Sequence, residues 1–152
     1  KQRSWMYDVK TRGYRYHMSN LNAAIGLAQI KKVDGFIEKR RHICQAYIEK
    51  LSGSKNISFE KANWDNAAPF MFPVLINGGK RDAVRDYLKE NDIETGISYI
   101  PLHRFGQFSS DSSLYPNTES VFERIVCLPI HPNVSDDDID LICDCIKRIT
   151  DE

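Results

Sequence analysis

Apolar positions between Ser19 and Leu51 recur at helical spacing with no proline to stop them. The first part, Leu21 to Ile30, contains Ala23-Ala24-Ile25-Gly26-Leu27-Ala28 and is apolar around most of its circumference, the pattern of a helix covered on more than one side. From Val33 to Leu51 the pattern narrows to a stripe of Phe36, Ile37, Ile43, Cys44, Tyr47, Ile48 and Leu51, with lysine and arginine opposite, so this part has one face on a core and one in water. Ser19 or Asn20 supplies a capping side chain for the first amides. One helix over this span would be about 48 Å long. That exceeds the diameter set by a gyration radius of about 15 Å for a domain of this size. The spacing therefore predicts a long N-terminal helix that reaches beyond the domain, with Gly35 as the place where it would divide.

Downstream, the period alternates between two and 3.6. Ile57–Phe59 reads as a short strand, and Ala68–Ile76, with Phe70, Phe72, Val74 and Ile76 alternating, as a second one that Asn77-Gly78-Gly79 ends in a turn. Arg81–Asn91 reads as a helix burying Ala83, Val84, Tyr87 and Leu88, followed by a strand over Ile93–Tyr99. Pro101–Tyr115 has no period, and a loop of that length generally has a functional reason. A helix from Pro116 to about Ile125 and a strand over Val126–Ile130 come next. The last helix starts at a capping box of Ser135 with Asp138, places three aspartates at the positive end of its dipole, and buries Ile139, Ile142, Cys143, Ile146 and Ile149. The expected fold class is α/β (α+β), a long N-terminal helix plus a small sheet flanked by helices.

Composition narrows the choice of partners. The chain has 152 residues with 21 Lys+Arg against 21 Asp+Glu, so the basic footprint of a nucleic-acid binder is absent. There is no apolar run of the length that spans a bilayer. Cys44, Cys127, Cys143 and Cys145 show no zinc-knuckle or redox spacing and are expected reduced and mostly buried, in keeping with a cytoplasmic protein. The start, Lys1-Gln2-Arg3-Ser4-Trp5, lacks an initiator methionine and reads as a cut inside a longer protein.

Reactive constellations are few. Gly78-Gly79 is an isolated pair and not a phosphate loop, and His17, His42, His103 and His131 lack metal-site spacing, so no metal is expected. Asp136-Asp137-Asp138 is read as capping, and Arg40-Arg41 as a solvated helix face. Two segments stand out. In Arg12-Gly13-Tyr14-Arg15-Tyr16-His17-Met18-Ser19, cationic and aromatic side chains alternate just before a helix N-terminus, which favours an anion such as phosphate. The same residues also suit a loop packing two tyrosines on a neighbouring domain. In Ser98-Tyr99-Ile100-Pro101-Leu102-His103, a strand ends in a tyrosine and a histidine separated by a rigid proline, either an ordinary exit or the mouth of a site.

Along these segments the chain resembles the DegT/StrS-type sugar aminotransferases of the fold-type I pyridoxal-phosphate superfamily. The resemblance rests on Gly13 to Asn20 followed by Ala23-Ala24-Ile25-Gly26-Leu27, on Glu94-Thr95-Gly96-Ile97 leading to Tyr99-Ile100-Pro101-Leu102-His103, on Pro116-Asn117-Thr118-Glu119, and on Leu128-Pro129-Ile130-His131-Pro132 with Ser135-Asp136. It implies the small C-terminal domain, residues 19–152, preceded by an interdomain and active-site segment, 1–18. The large domain, with the lysine that binds pyridoxal phosphate, would lie upstream, so no catalytic residue is expected in this chain, which alone would be inactive.

The resemblance also implies a homodimer in which Arg15 and His17 lie near the cofactor phosphate of the partner's site, while Tyr99 and His103 line the sugar side. Arg15 stands where the family usually has asparagine, His17 where it has arginine, and Ser98 where many members have histidine. His131 matches a structural position. The implied reaction moves an amino group from glutamate to a nucleotide-linked keto-deoxysugar, with pyridoxal phosphate as electron sink. Within the family the alternative is a sugar dehydratase using pyridoxamine phosphate. Outside it, the alternative is a non-catalytic interaction module.

Overall fold

The computed structural model describes residues 8, 10–14, 16–60 and 62–151, which fall into two compact units, one up to Val33 and one from Asp34 onward.

In the first unit, α1 spans Asn20–Ile30, and the Ser19 side chain accepts from the Asn22 amide at 3.2 Å. None of its residues is buried; Leu21, Ile25, Leu27 and Ile30 all face solvent. The single long helix expected from the spacing does not form. The chain turns at Lys31-Lys32, where the Lys32 amide donates to the Gln29 carbonyl at 2.9 Å, and a second helix, α2, runs Val33–Leu51. Gly35 lies inside α2. The break falls where the apolar pattern changes from all-round to one-sided, so the change in pattern, not the glycine, marked the boundary.

The second unit holds a three-stranded antiparallel sheet in the order β1-β2-β3, with β1 Ile57–Phe59, β2 Phe72–Ile76 and β3 Ile125–Leu128. Helices α2, α3 (Arg81–Glu90) and α5 (Asp136–Thr150) supply the other side of its core. Phe72, Val74 and Ile76 of the central strand are fully buried, and Phe72 gathers the aromatic rings of Tyr47 at 5.4 Å, Trp64 at 5.3 Å and Phe59 at 6.0 Å. Those centroid distances suit offset or tilted ring contacts. Tyr47 also donates its hydroxyl to the Pro129 carbonyl at 2.9 Å, which ties α2 to the end of β3. All four cysteines are free and buried, and burial pushes the Cys44 thiol up to about 12 and the Cys143 thiol to about 11, so both remain protonated packing groups.

Pro73 sits in the central strand without harm. Strand β1 ends opposite Val74, and Cys127, opposite Pro73, directs its own N–H and C=O away to Gly96, so no neighbour asks Pro73 for a donor. The second strand was expected from Ala68 but begins at Phe72, leaving Phe70 exposed. The carbonyls of Ala67 and Pro69 are taken by Arg41 and Arg40 and are not free to join a ladder. The expected strand over Ile93–Tyr99 reduces to one bridge, Gly96 to Cys127, and the 116–125 helix to α4, Pro116–Phe122. Ala83 is exposed, while Val84 and Leu88 hold α3 on the core. The Asn77-Gly78-Gly79 turn forms with both glycines at φ 71, and the capping box of α5 is complete, with Asp138 Oδ2 accepting from the Ser135 amide at 2.9 Å.

Truncating Phe72 to alanine should cost about 3–5 kcal/mol, whereas Ser135→Ala should cost about 1 kcal/mol. Urea denaturation followed by circular dichroism measures both, and equal costs would refute the central place given to Phe72.

Candidate functional site

The free edge of β3 starts the site. Gly96 exchanges two hydrogen bonds with Cys127, at 3.1 and 2.8 Å, and this clip brings the chain to Ser98 and Tyr99. Tyr99 is 73% exposed, while Pro101 just beyond it is buried. An open groove of about 380 Å³ runs beside Tyr99, walled on one side by Ser98 and Tyr99 and on the other by Asn117, Thr118 and Val121 of α4. A ring with a hydroxyl tip beside an amide and two further hydroxyls suits a polar, ring-shaped ligand.

His103 is placed differently from Tyr99. It is 8% exposed, stacks on Tyr115 with ring centroids 4.5 Å apart at 15°, and meets Glu119 Oε1 through Nε2 at 2.5 Å. Arg104 donates to the same carboxylate, from Nε to Oε1 at 3.0 Å and from Nη2 to Oε2, and lies over the Phe122 ring at 4.6 Å. These bonds from Arg104, and then the one from His103, hold the Glu119 carboxyl well below the usual carboxylate range, at about 2. The stretch 101–115 is thus ordered as short 3₁₀ turns at Leu102–Arg104, Gly106–Phe108 and Ser112–Leu114.

Sequence reasoning gave no role to Arg104 or Tyr115, and it quoted Glu119 only as the end of the Pro116-Asn117-Thr118-Glu119 motif. The signals available were a basic residue next to His103 and an acid in the first turn of a helix opening on proline. An acid there has an ordinary dipole role, which hid its long-range one. The Arg40-Arg41 pair, expected on a solvated face, is half-buried instead: Arg41 Nε donates to the Ala67 carbonyl at 2.7 Å and Arg40 Nη1 to the Pro69 carbonyl at 3.4 Å, strapping the loop before β2 to α2. Of the two expected phosphate-side residues, Arg15 lies outside the described residues, and His17 is exposed in the first unit beside Tyr16, whose ring is 6.0 Å from that of Tyr14.

Residues 1–147 match the DegT/DnrJ/EryC1/StrS aminotransferase family. The chain belongs to that family. Its similarity to the GDP-perosamine synthase of Vibrio cholerae is 30% identity over 140 residues, covering 89% of this chain and 38% of that protein. With the uncharacterised protein MJ1066 of Methanocaldococcus jannaschii it shares 31% identity over 166 residues, covering 98% of this chain and 41% of the other. The chain therefore spans about two fifths of the length of the curated relatives it matches. Among solved structures, the sugar aminotransferase CalS13 of Micromonospora echinospora superposes with a TM-score of 0.82 at 26% identity over 93% of this chain and 38% of that one. The PLP form of Spr1654 of Streptococcus pneumoniae shares the fold with a TM-score of 0.85, at 24% identity over 97% of this chain and 40% of that one.

The depressed Glu119 carboxyl gives a pH prediction. Its folded value lies below the ordinary 4.5, so its stabilising effect is complete above pH 4.5 and is lost as pH falls towards about 2; Asp111 and Asp138 are lowered in the same direction. Glu119→Gln should melt at a lower temperature than the parent at neutral pH, and the gap should close as pH falls through that window. A gap independent of pH, in thermal scans by circular dichroism, would contradict the ionic pairing.

Proposed function

We propose that this chain is the small domain of a pyridoxal-phosphate-dependent aminotransferase that moves an amino group from glutamate to a nucleotide-linked keto-sugar in surface polysaccharide or amino-sugar biosynthesis. The observation that carries this reading is the family match over residues 1–147, strengthened by 30% identity to a GDP-perosamine synthase. The protein is read as a cytoplasmic homodimer. Residues 19–152 are the small domain, and the segment before them is the part that reaches a cofactor site. A large domain supplies the covalent lysine and covers the apolar side chains of α1, which find no burial within this chain.

The donor set of the 10–19 segment fits a phosphate. Lys10, Arg12 and Arg15 are cationic, no acid occurs between Lys10 and Gln29, and α1 begins directly after with its dipole positive end. Arg15 and His17 are the side chains assigned to the cofactor phosphate, Arg15 as a fork of charged donors. Bound pyridoxal phosphate supplies the electron sink that lets an amino group leave one carbon skeleton for another. This chain's part is to hold the phosphate end and shape the acceptor side, where Tyr99 offers its exposed ring to the sugar and His103 fixes the segment that follows it.

The test uses the full-length protein, purified with pyridoxal phosphate. Its visible cofactor absorbance should change on addition of glutamate, and Arg15→Ala should weaken cofactor retention on dialysis. Absent cofactor absorbance, or absorbance indifferent to glutamate, would defeat the reading.

A further inference from the structure

We propose that Glu119 is a positioning residue that sets the width of the acceptor groove by clasping the segment after Tyr99 to α4, an inference that rests on the aminotransferase reading above. The groove has two walls from two separate stretches of chain: Ser98 and Tyr99 on one side, Asn117 and Thr118 on the other. The first wall is fixed to the sheet through Gly96 and Cys127. The second is anchored at its C-terminal end, where Arg81 Nη1 donates to the Phe122 carbonyl at 3.0 Å and the chain runs on into β3, but not at the Asn117 and Thr118 end that faces Tyr99. Helix α4 is 7 residues long and none of them is buried, so hydrophobic packing does little to hold it.

What joins α4 to the first wall is the Glu119 carboxylate. Its side chain is only 15% exposed and both oxygens are engaged, Oε1 by His103 and by Arg104 Nε, Oε2 by Arg104 Nη2. His103 is held in turn by the Tyr115 ring on its face, and its carbonyl accepts from the Ser110 amide at 3.3 Å, so both ends of the 101–115 segment close on the same point. A carboxylate gripped by a charged fork and an imidazole has far less freedom than a solvated surface pair. Glu119 itself does not line the groove, so it acts through the two walls and not on the ligand.

The experiment compares the full-length holoenzyme with its Glu119→Gln variant in three measurements. Chymotrypsin cleavage at Phe105 and Phe108 should quicken by about 5-fold, because proteolysis follows the population of the opened segment. The response of the bound cofactor to glutamate should stay within about 2-fold, while KM for GDP-perosamine, run in reverse with 2-oxoglutarate as amino acceptor, rises about 10-fold with little change in kcat. His103→Gln, which keeps the Arg104 pair, should move the same readouts in the same direction, and the double variant should be less than additive. It also decides the matter if Glu119→Gln does not accumulate folded. Unchanged cleavage at Phe105 and Phe108 overturns the clasp whatever the activity. A glutamate response that falls in step with the GDP-perosamine reaction overturns the acceptor-side role. A parent enzyme that ignores glutamate defeats the aminotransferase reading instead, and cleavage still judges the clasp.

Discussion

Phe72 is the point through which the second unit is held together. It stands on the central strand, fully buried, and touches side chains from α2, from β1 and from the loop before β2. A small antiparallel sheet with one hydrophobic face must bury that face against another element. Here Tyr47, Trp64 and Phe59 meet on one ring, and the Tyr47 hydroxyl carries the connection on to Pro129 at the end of β3. The order runs from that cluster to β3, from β3 to Gly96 through Cys127, and from Gly96 to Tyr99. The first wall of the groove is therefore only as well placed as a two-bond clip on a sheet edge allows, while the second is held at Phe122 by Arg81 and meets the 101–115 segment through Glu119.

Much of the architecture was legible from local chemistry. The α5 capping box, the Asn77-Gly78-Gly79 turn and the buried stripe of α2 follow from short-range rules, and they formed as those rules require. Several of the misreadings, and the silence on the role of Glu119, share one cause, namely groups whose partners are distant in sequence. Arg40 and Arg41 look like surface charges until the loop at 67–69 arrives to accept from them. Phe70 continues an alternating pattern, but the carbonyls beside it are already committed. Glu119 looks like a first-turn acid serving its own helix until Arg104 and His103 reach it from 15 and 16 residues away.

The candidate site was legible in outline and not in role. Tyr99 and His103 stand on one short stretch, yet one ring is open to solvent and the other is shut between Tyr115 and Glu119. Pro101, buried between them, is where the chain turns from offering a side chain to burying one. Residue type alone does not distinguish those fates, since tyrosine and histidine are both amphipathic and serve equally as contact or as strut.

The first unit poses the opposite problem: α1 is well formed, capped by Ser19, and buries nothing. A helix of 11 residues has little stability of its own in water. On the function proposed above, its apolar face is covered by the remainder of a longer protein. Amide hydrogen exchange, compared between this chain alone and the full-length protein, tests that most directly. Amides of 20–30 should exchange fast in the isolated chain and become protected in the full-length protein, while the β2 amides are slow in both. Equal protection of 20–30 in the two would contradict it.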